Sequence, residues 1–141
     1  MIIKQLSVFL ENKSGRLTEV TEVLAKSNIN MSAFSVADTA DYGILRVIVN
    51  KPDEAERILK AKNFSVHITN VIGIIVPHEP GGLHRALKIL STEGIDVEYM
   101  YAFALSSRAT VIIRTEAIEK TIAVLESNKL ELVKASDIYE I

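Results

Sequence analysis

Two segments carry residue types from which a site for a small anion can be made. They are Glu11-Asn12-Lys13-Ser14-Gly15-Arg16-Leu17 and Pro77-His78-Glu79-Pro80-Gly81-Gly82-Leu83, each lying between a β-type stretch and an amphipathic one. The start of a helix presents backbone N–H groups with no intrahelical acceptor and a partial positive charge. A glycine that lets a ligand approach them therefore favours a carboxylate or another anion. The dipole contributes only ~0.3–1 kcal/mol at an exposed position, so side chains must add to it. Asn12 and His78 stand where they can do so. Gly15 and Gly81 have a purely structural use as well, since a tight strand-to-helix turn also calls for glycine. The chemistry on offer is recognition, not catalysis.

Other chemistries lack their residues. The chain has no cysteine, which removes disulfides, thiolate zinc sites and cysteine nucleophiles together. His78 and His84 flank Glu79, but a separation containing Pro80, Gly81 and Gly82 is neither a helical i,i+4 pair nor a zinc spacing. No metal or other cofactor is expected. There is no Ser-His-Asp order and no pair of acids at readable spacing, so no reaction class can be named and a non-enzyme is expected. Lys13 and Arg16 would let such a loop hold a phosphate as acylphosphatases do, an alternative that fold alone does not license. Sixteen basic against eighteen acidic side chains give a net charge of −2. The β-type stretches ILRVIV and TVIIRT hold none of the aromatics that stack RNA bases, so no nucleic-acid partner is expected. The longest apolar run, Val71 to Val76, is far short of the ~20 residues of a membrane helix. The N-terminus alternates like a strand and lacks the cleavage site of a signal peptide, which predicts a cytoplasmic protein without a membrane partner.

The elements that hold these loops follow from periodicity. Leu6, Val8 and Leu10 alternate with Gln5, Ser7 and Phe9, a strand pattern. Leu17, Val20, Val23 and Leu24 fall at helical spacing, predicting a helix over 15–27 with Ser14 as its N-cap. Residues 29–37 and 44–49 are β-rich around a turn at 38–43. Pro52 opens a second helix with Ala55, Ile58 and Leu59 on one face, and 64–68 is a last strand. The order is β-α-β-β-α-β. Sliding the chain by 66 lays Gly15 on Gly81, Leu17 on Leu83, Leu24 on Leu90, Ile29 on Ile95 and Leu59 on Leu125, and the apolar periods coincide as well. A second unit with helices near 81–93 and 117–128 is therefore expected, dividing the chain into domains 1–69 and 70–141. No Gly-Ser or Pro-rich spacer separates them. Right-handed crossovers would put both helices of each unit on one face of an antiparallel sheet and leave the other face open. Phe34, Ile44, Ile48, Tyr99 and Tyr101 are the expected exposed contacts for whatever covers it, a second copy in a homodimer among the choices.

The stretch ENKSGRL followed by a helix and NINMSAF resembles the ACT domain, the small-molecule regulatory module attached to aspartate kinases, phosphoglycerate dehydrogenases and other amino-acid enzymes. PHEPGGL with GIDVEYM resembles a second copy. The resemblance spans essentially the whole chain. The usual loop has Asn, any residue, Pro, Gly, any residue, Leu; the first copy carries Ser14 in place of the proline, and the second has Pro80 but His78 in place of the asparagine. The resemblance implies an α+β, ferredoxin-like fold of two tandem ACT-type repeats with antiparallel sheets. It also implies an amino acid or related metabolite bound at an interface between modules, a homodimer, and a regulated metabolic enzyme as partner. The residues it implies for the ligand are Asn12, Lys13, Ser14, Gly15, Arg16, Leu17, Asn30 and Met31 in the first copy. In the second they are His78, Glu79, Pro80, Gly81, Gly82, Leu83, Asp96 and Val97. The histidine that precedes the loop in some serine-binding members corresponds to Leu10 and Val76, so serine specificity is not implied. Two unlike sites, or one working and one decayed, both fit these loops. An interaction module without a ligand is the other reading.

Overall fold

In the computed structural model, which describes residues 1–11, 14–38 and 42–140, the alternating N-terminal segment forms β1 (Ile3–Glu11). There follow α1 (Arg16–Lys26), β2 (Met31–Asp38), β3 (Tyr42–Val49), α2 (Pro52–Ala61), β4 (Ser65–Pro77), α3 (Gly82–Thr92), β5 (Tyr99–Leu105), β6 (Arg108–Arg114), α4 (Ile118–Ser127), β7 (Glu131–Leu132) and α5 (Ala135–Tyr139). The chain divides into two compact units. The first comprises 4–69 with 136–141, the second 1–3 with 70–135.

In the first unit the strands lie in the order β2-β3-β1-β4. Pairing is antiparallel, with Leu6 opposite Val47, Val8 opposite Leu45 and Phe34 opposite Val47. The Phe9 ring meets His67 edge-on, and Ser7 Oγ lies 3.5 Å from Thr69 Oγ1, so β1 and β4 also run in opposite directions. One face of this sheet, carrying Leu6, Val8, Leu10, Leu45 and Val47, packs on Val20 and Leu24 of α1 and on Ala55 and Leu59 of α2. The second unit repeats the scheme. β4 pairs with β6 and with β7, and β6 with β5, all antiparallel. Ile72, Ile74, Val76, Val111 and Ile113 form a core with Ala86, Leu90 and Leu125 from α3 and α4. Each unit is an α+β, ferredoxin-like β-α-β-β-α-β module. β4 is one uninterrupted strand of 13 residues that begins in the first unit and ends in the second.

The duplication extends to backbone torsions. Gly15 and Gly81 have φ of 90° and 88°, Asn28 and Gly94 56° and 69°, and Asn63 and Lys129 67° and 61°. Members of each pair are 66 residues apart. Left-handed residues close helices at the second and third pairs, where Asn and Gly are the usual occupants. Lys129 accepts the strained region without that advantage.

Two expectations are corrected. Ser14 does not cap α1: the N-cap is Gly15, with no side-chain hydrogen bond, because the left-handed glycine turns the chain one residue later than a serine cap would. Ile48 is not exposed but fully buried, as are Gln5 and, nearly so, its strand partner Ala33. This end of the sheet lies where α5 docks, with the Lys4 amide donating to Tyr139 Oη at 2.8 Å and Ile138 fully buried. Of the other expected contacts, Phe34 is 60% exposed and Ile44, Tyr99 and Tyr101 are half-buried. Residues 39–41 of the expected turn lie outside the described residues. No helix among the described residues is long and apolar enough to cross a membrane.

Leu59 and Leu125 occupy equivalent, fully buried places in the two cores. Leu59→Ala and Leu125→Ala are each expected to lower stability by about 2–5 kcal/mol in urea denaturation, from lost transfer energy and the cavity left behind.

Candidate functional site

The loops singled out by sequence open α1 and α3 through the same left-handed glycine. Gly15 and Gly81 are N-caps without side-chain caps, and an added Cβ at either would meet nothing within 4 Å. Glycine is needed there for its torsion, not for room. Among the described residues the amides of Leu17 and Thr18 find no acceptor at the start of α1, nor do those of Leu83 and His84 at the start of α3. These are the bare donors that an anion could meet. Asn12 and Lys13 lie outside the described residues; Ser14 is exposed.

Beyond that shared geometry the loops differ. The second is a closed turn: the His78 amide donates to the Ser107 carbonyl at 2.8 Å, the Glu79 amide to the Pro77 carbonyl at 3.0 Å, and the Gly82 amide to the Glu79 carbonyl at 3.1 Å. One potential anion donor is thereby used by the protein itself. A Cβ on Gly82 would overlap the Pro77 carbonyl oxygen, so Gly82 is required for close backbone approach. The His78, Glu79, Pro80 and Gly81 side of the turn is exposed, while Leu83 packs against the second core.

In the first loop Arg16 replaces that glycine and turns away from the turn. Its guanidinium sits 4.6 Å from the Phe64 ring centroid, and Nη1 donates to Glu19 Oε2 at 2.8 Å. The side chain is 23% exposed, and its buried Nε has no partner. Burial over an aromatic face fits a packing role, and Glu19 also compensates the helix dipole. α3 has no acidic residue in its first turn.

The remaining predicted residues lie elsewhere. Asn30 and Met31 stand at the start of β2, beyond the C-terminal end of α1, and Asp96 and Val97 hold the same relation to α3. Eleven helical residues separate turn from strand opening, roughly 16 Å at the helical rise. Within one unit the glycine turn and Asn30 are therefore too far apart for a single amino acid to touch both. Asn30 and Met31 instead border a groove of about 550 Å³ along α1, with Thr18, Thr21, Glu22 and Ala25. A hydrogen bond from the Lys26 ammonium, together with its charge, holds the Glu22 carboxyl below its ordinary pKa. Asp96 borders a recess of about 300 Å³ with Glu98, Glu116 and Lys120. Among the described residues no group of three or more His, Asp or Glu side chains is placed to hold a metal ion.

Duplicated ferredoxin-like modules whose first helices open on glycine turns define a class of paired small α+β folds. The family profile described as an ACT domain pair matches residues 1–141, and the chain belongs to that family, a regulatory module. Among solved structures it is similar to protein BT0572 from Bacteroides thetaiotaomicron, at 55% identity over 100% of this chain and 98% of that one, TM-score 0.96. It is similar in fold to the ligand-free regulatory subunit of aspartate kinase from Thermus thermophilus, at 15% identity over 88% and 91% of the two chains, TM-score 0.65. Escherichia coli aspartokinase III, solved in complex with lysine and aspartate, shares the fold at 17% identity over 90% of this chain and 31% of its own, TM-score 0.55. Comparison with curated protein sequences returns no significant match.

The glycines separate into two kinds by experiment. Gly82→Ala is expected to cost about 3 kcal/mol or more through backbone overlap, whereas Gly15→Ala should cost about 1–2 kcal/mol through torsion alone, both read from urea denaturation. Arg16→Ala should cost about 1–2 kcal/mol by removing a half-desolvated cation–π contact and its packing.

Proposed function

We propose that the chain is a non-catalytic cytoplasmic sensor that binds an amino acid or a related small metabolite between two ACT modules, and that a second copy of the chain completes the site. The supporting observation is the separation of the two halves of the candidate site along α1. The turn of one module, Asn12 to Leu17, and the strand opening of another, Asn30 and Met31, together supply what one ligand needs. Backbone N–H groups meet the α-carboxylate, and carboxamide or carbonyl oxygens meet the ammonium. In the second module, His78 to Leu83 and Asp96 with Val97 make the corresponding halves.

β2 ends the strand order and leaves one row of backbone groups unpaired. Phe34 and Val36 on this edge are 60% and 53% exposed. An edge strand with exposed apolar side chains favours pairing with another strand. Antiparallel pairing of two such edges about a two-fold axis would set the turn of one copy beside Asn30 of the other. Ligand bound there would favour that pairing by its differential affinity for the paired state, which a regulated metabolic enzyme then reads. The regulatory subunit and aspartokinase of similar fold support this reading by analogy.

Calorimetry and thermal melts against the twenty amino acids test it. A ligand at a hundred times its Kd should add about 2.7 kcal/mol of stability. Phe34→Asp should leave the monomer folded, since the side chain is largely exposed, while abolishing both the dimer in sedimentation and the ligand-induced shift. Absence of any shift favours an interaction module without ligand, and turnover of an acyl phosphate defeats the non-catalytic reading.

A further inference from the structure

We propose that the first unit holds a second binding pocket, which shares Asn30 with the proposed edge site, takes a small zwitterion of amino-acid size and is walled on one side by α5 and Glu140. The pocket has a volume of about 470 Å³ and is bordered by Asn30, Asn50, Lys51, Ser136, Tyr139 and Glu140. Its size is that of ordinary small-molecule sites, ~300–1,000 Å³, and every side chain that borders it carries a polar or charged group. What it offers is charge of both signs and directional donors.

Among the described residues, neither the Lys51 ammonium nor the Glu140 carboxylate has an ion-pair partner. A zwitterion supplies the opposite charge to each. Tyr139 Oη accepts the Lys4 amide, so its own hydrogen remains available to a ligand acceptor. Asn50 is fixed by two bonds to Asn30: its Oδ1 accepts the Asn30 amide at 3.0 Å, and its amide donates to the Asn30 carbonyl at 3.1 Å. The first of these bonds holds the carboxamide in place and leaves Nδ2 as a donor, while the second is made by the Asn50 backbone N–H.

The corresponding recess of the second unit is unlike it. There Asp96, Glu98 and Glu116 outnumber Lys120, whose Nζ already donates to the Glu93 carbonyl, and Glu98 is paired with Arg114. A carboxylate would be repelled there. The difference assigns the zwitterion to the first unit alone.

Amide chemical shifts of the full chain, titrated with each of the twenty amino acids and with ethanolamine and acetate, test the proposal. At least one amino acid should move the Lys4 and Lys51 amides saturably, while ethanolamine and acetate, each carrying one of the two charges, should not saturate. Lys51→Ala and Glu140→Ala, both surface changes, should each weaken binding about fivefold or more. Tyr139→Phe should speed hydrogen exchange at the Lys4 amide. Movement confined to Gly15, Leu17 and Phe34 would overturn this pocket and uphold the proposed edge site. Movement of Lys4 and Lys51 alone would uphold the pocket and remove the edge site. Stillness of all five amides would overturn both.

Discussion

A helix rises about 1.5 Å per residue, and this fixed pitch governs the first unit of the protein. α1 starts at the left-handed Gly15 and ends before Asn30, so the bare amides and the polar strand opening sit at its two ends. Shortening the helix would merge them but would also remove Val20 or Leu24 from the core, where both are essentially inaccessible. The core requirement thus sets the helix length, and the helix length parts the glycine turn from the polar strand opening. α3, with Ala86 and Leu90 in the second core, is held to the same length for the same reason.

Identical torsions at Gly15 and Gly81 show that the duplicated turn is kept as a shape, yet what surrounds each turn has diverged. The Arg16 side chain is committed to Phe64 and Glu19, and its counterpart Gly82 has no side chain and binds its amide to Glu79. One loop therefore starts its helix with a side chain packed beneath it, the other with the backbone drawn tight against Pro77. The first helix carries its own acid near the dipole and the second does not, so the two starts present different fields to an incoming anion. Equivalent position in the repeat does not make the two turns equivalent chemically.

Much of this was legible in the residues. Period-two and helical spacings are direct consequences of burying one face, so the strands around Leu6, Leu45, Ile74 and Val111 and the helices around Leu24 and Leu90 announce themselves. The 66-residue offset was readable because cores constrain apolar positions in both copies alike. Three features were not. A serine before a helix reads as a cap, but Gly15 dictates where the helix begins, and no side-chain pattern encodes that torsion. Ile48 is fully buried although it does not belong to the helix-covered core of the first unit, and a local pattern cannot report that. α5 is a single turn of five residues, too short for a period to emerge from Ile138 alone. As for the site, the glycine turns could be located, but the direction taken by Arg16 and the tight backbone at Gly82 arise from tertiary packing.

The chain ends show how duplication and independence differ. Residues 1–3 belong with the second unit and residues 136–141 with the first, so neither compact unit is one continuous stretch of sequence. At one end, Gly73 in β4 makes room for Val133 and Ile3: a Cβ there would lie 3.0 Å from Val133 Cβ and 3.3 Å from Ile3 Cδ1. At the other, Tyr139 accepts the amide of Lys4, the residue next to Ile3. Each unit is therefore finished by a segment that the other half of the sequence supplies. Loosening of the C-terminal turn removes an acceptor from the first strand of the first unit. Loosening of the N-terminal residues uncovers the centre of β4, the strand in which both units begin or end.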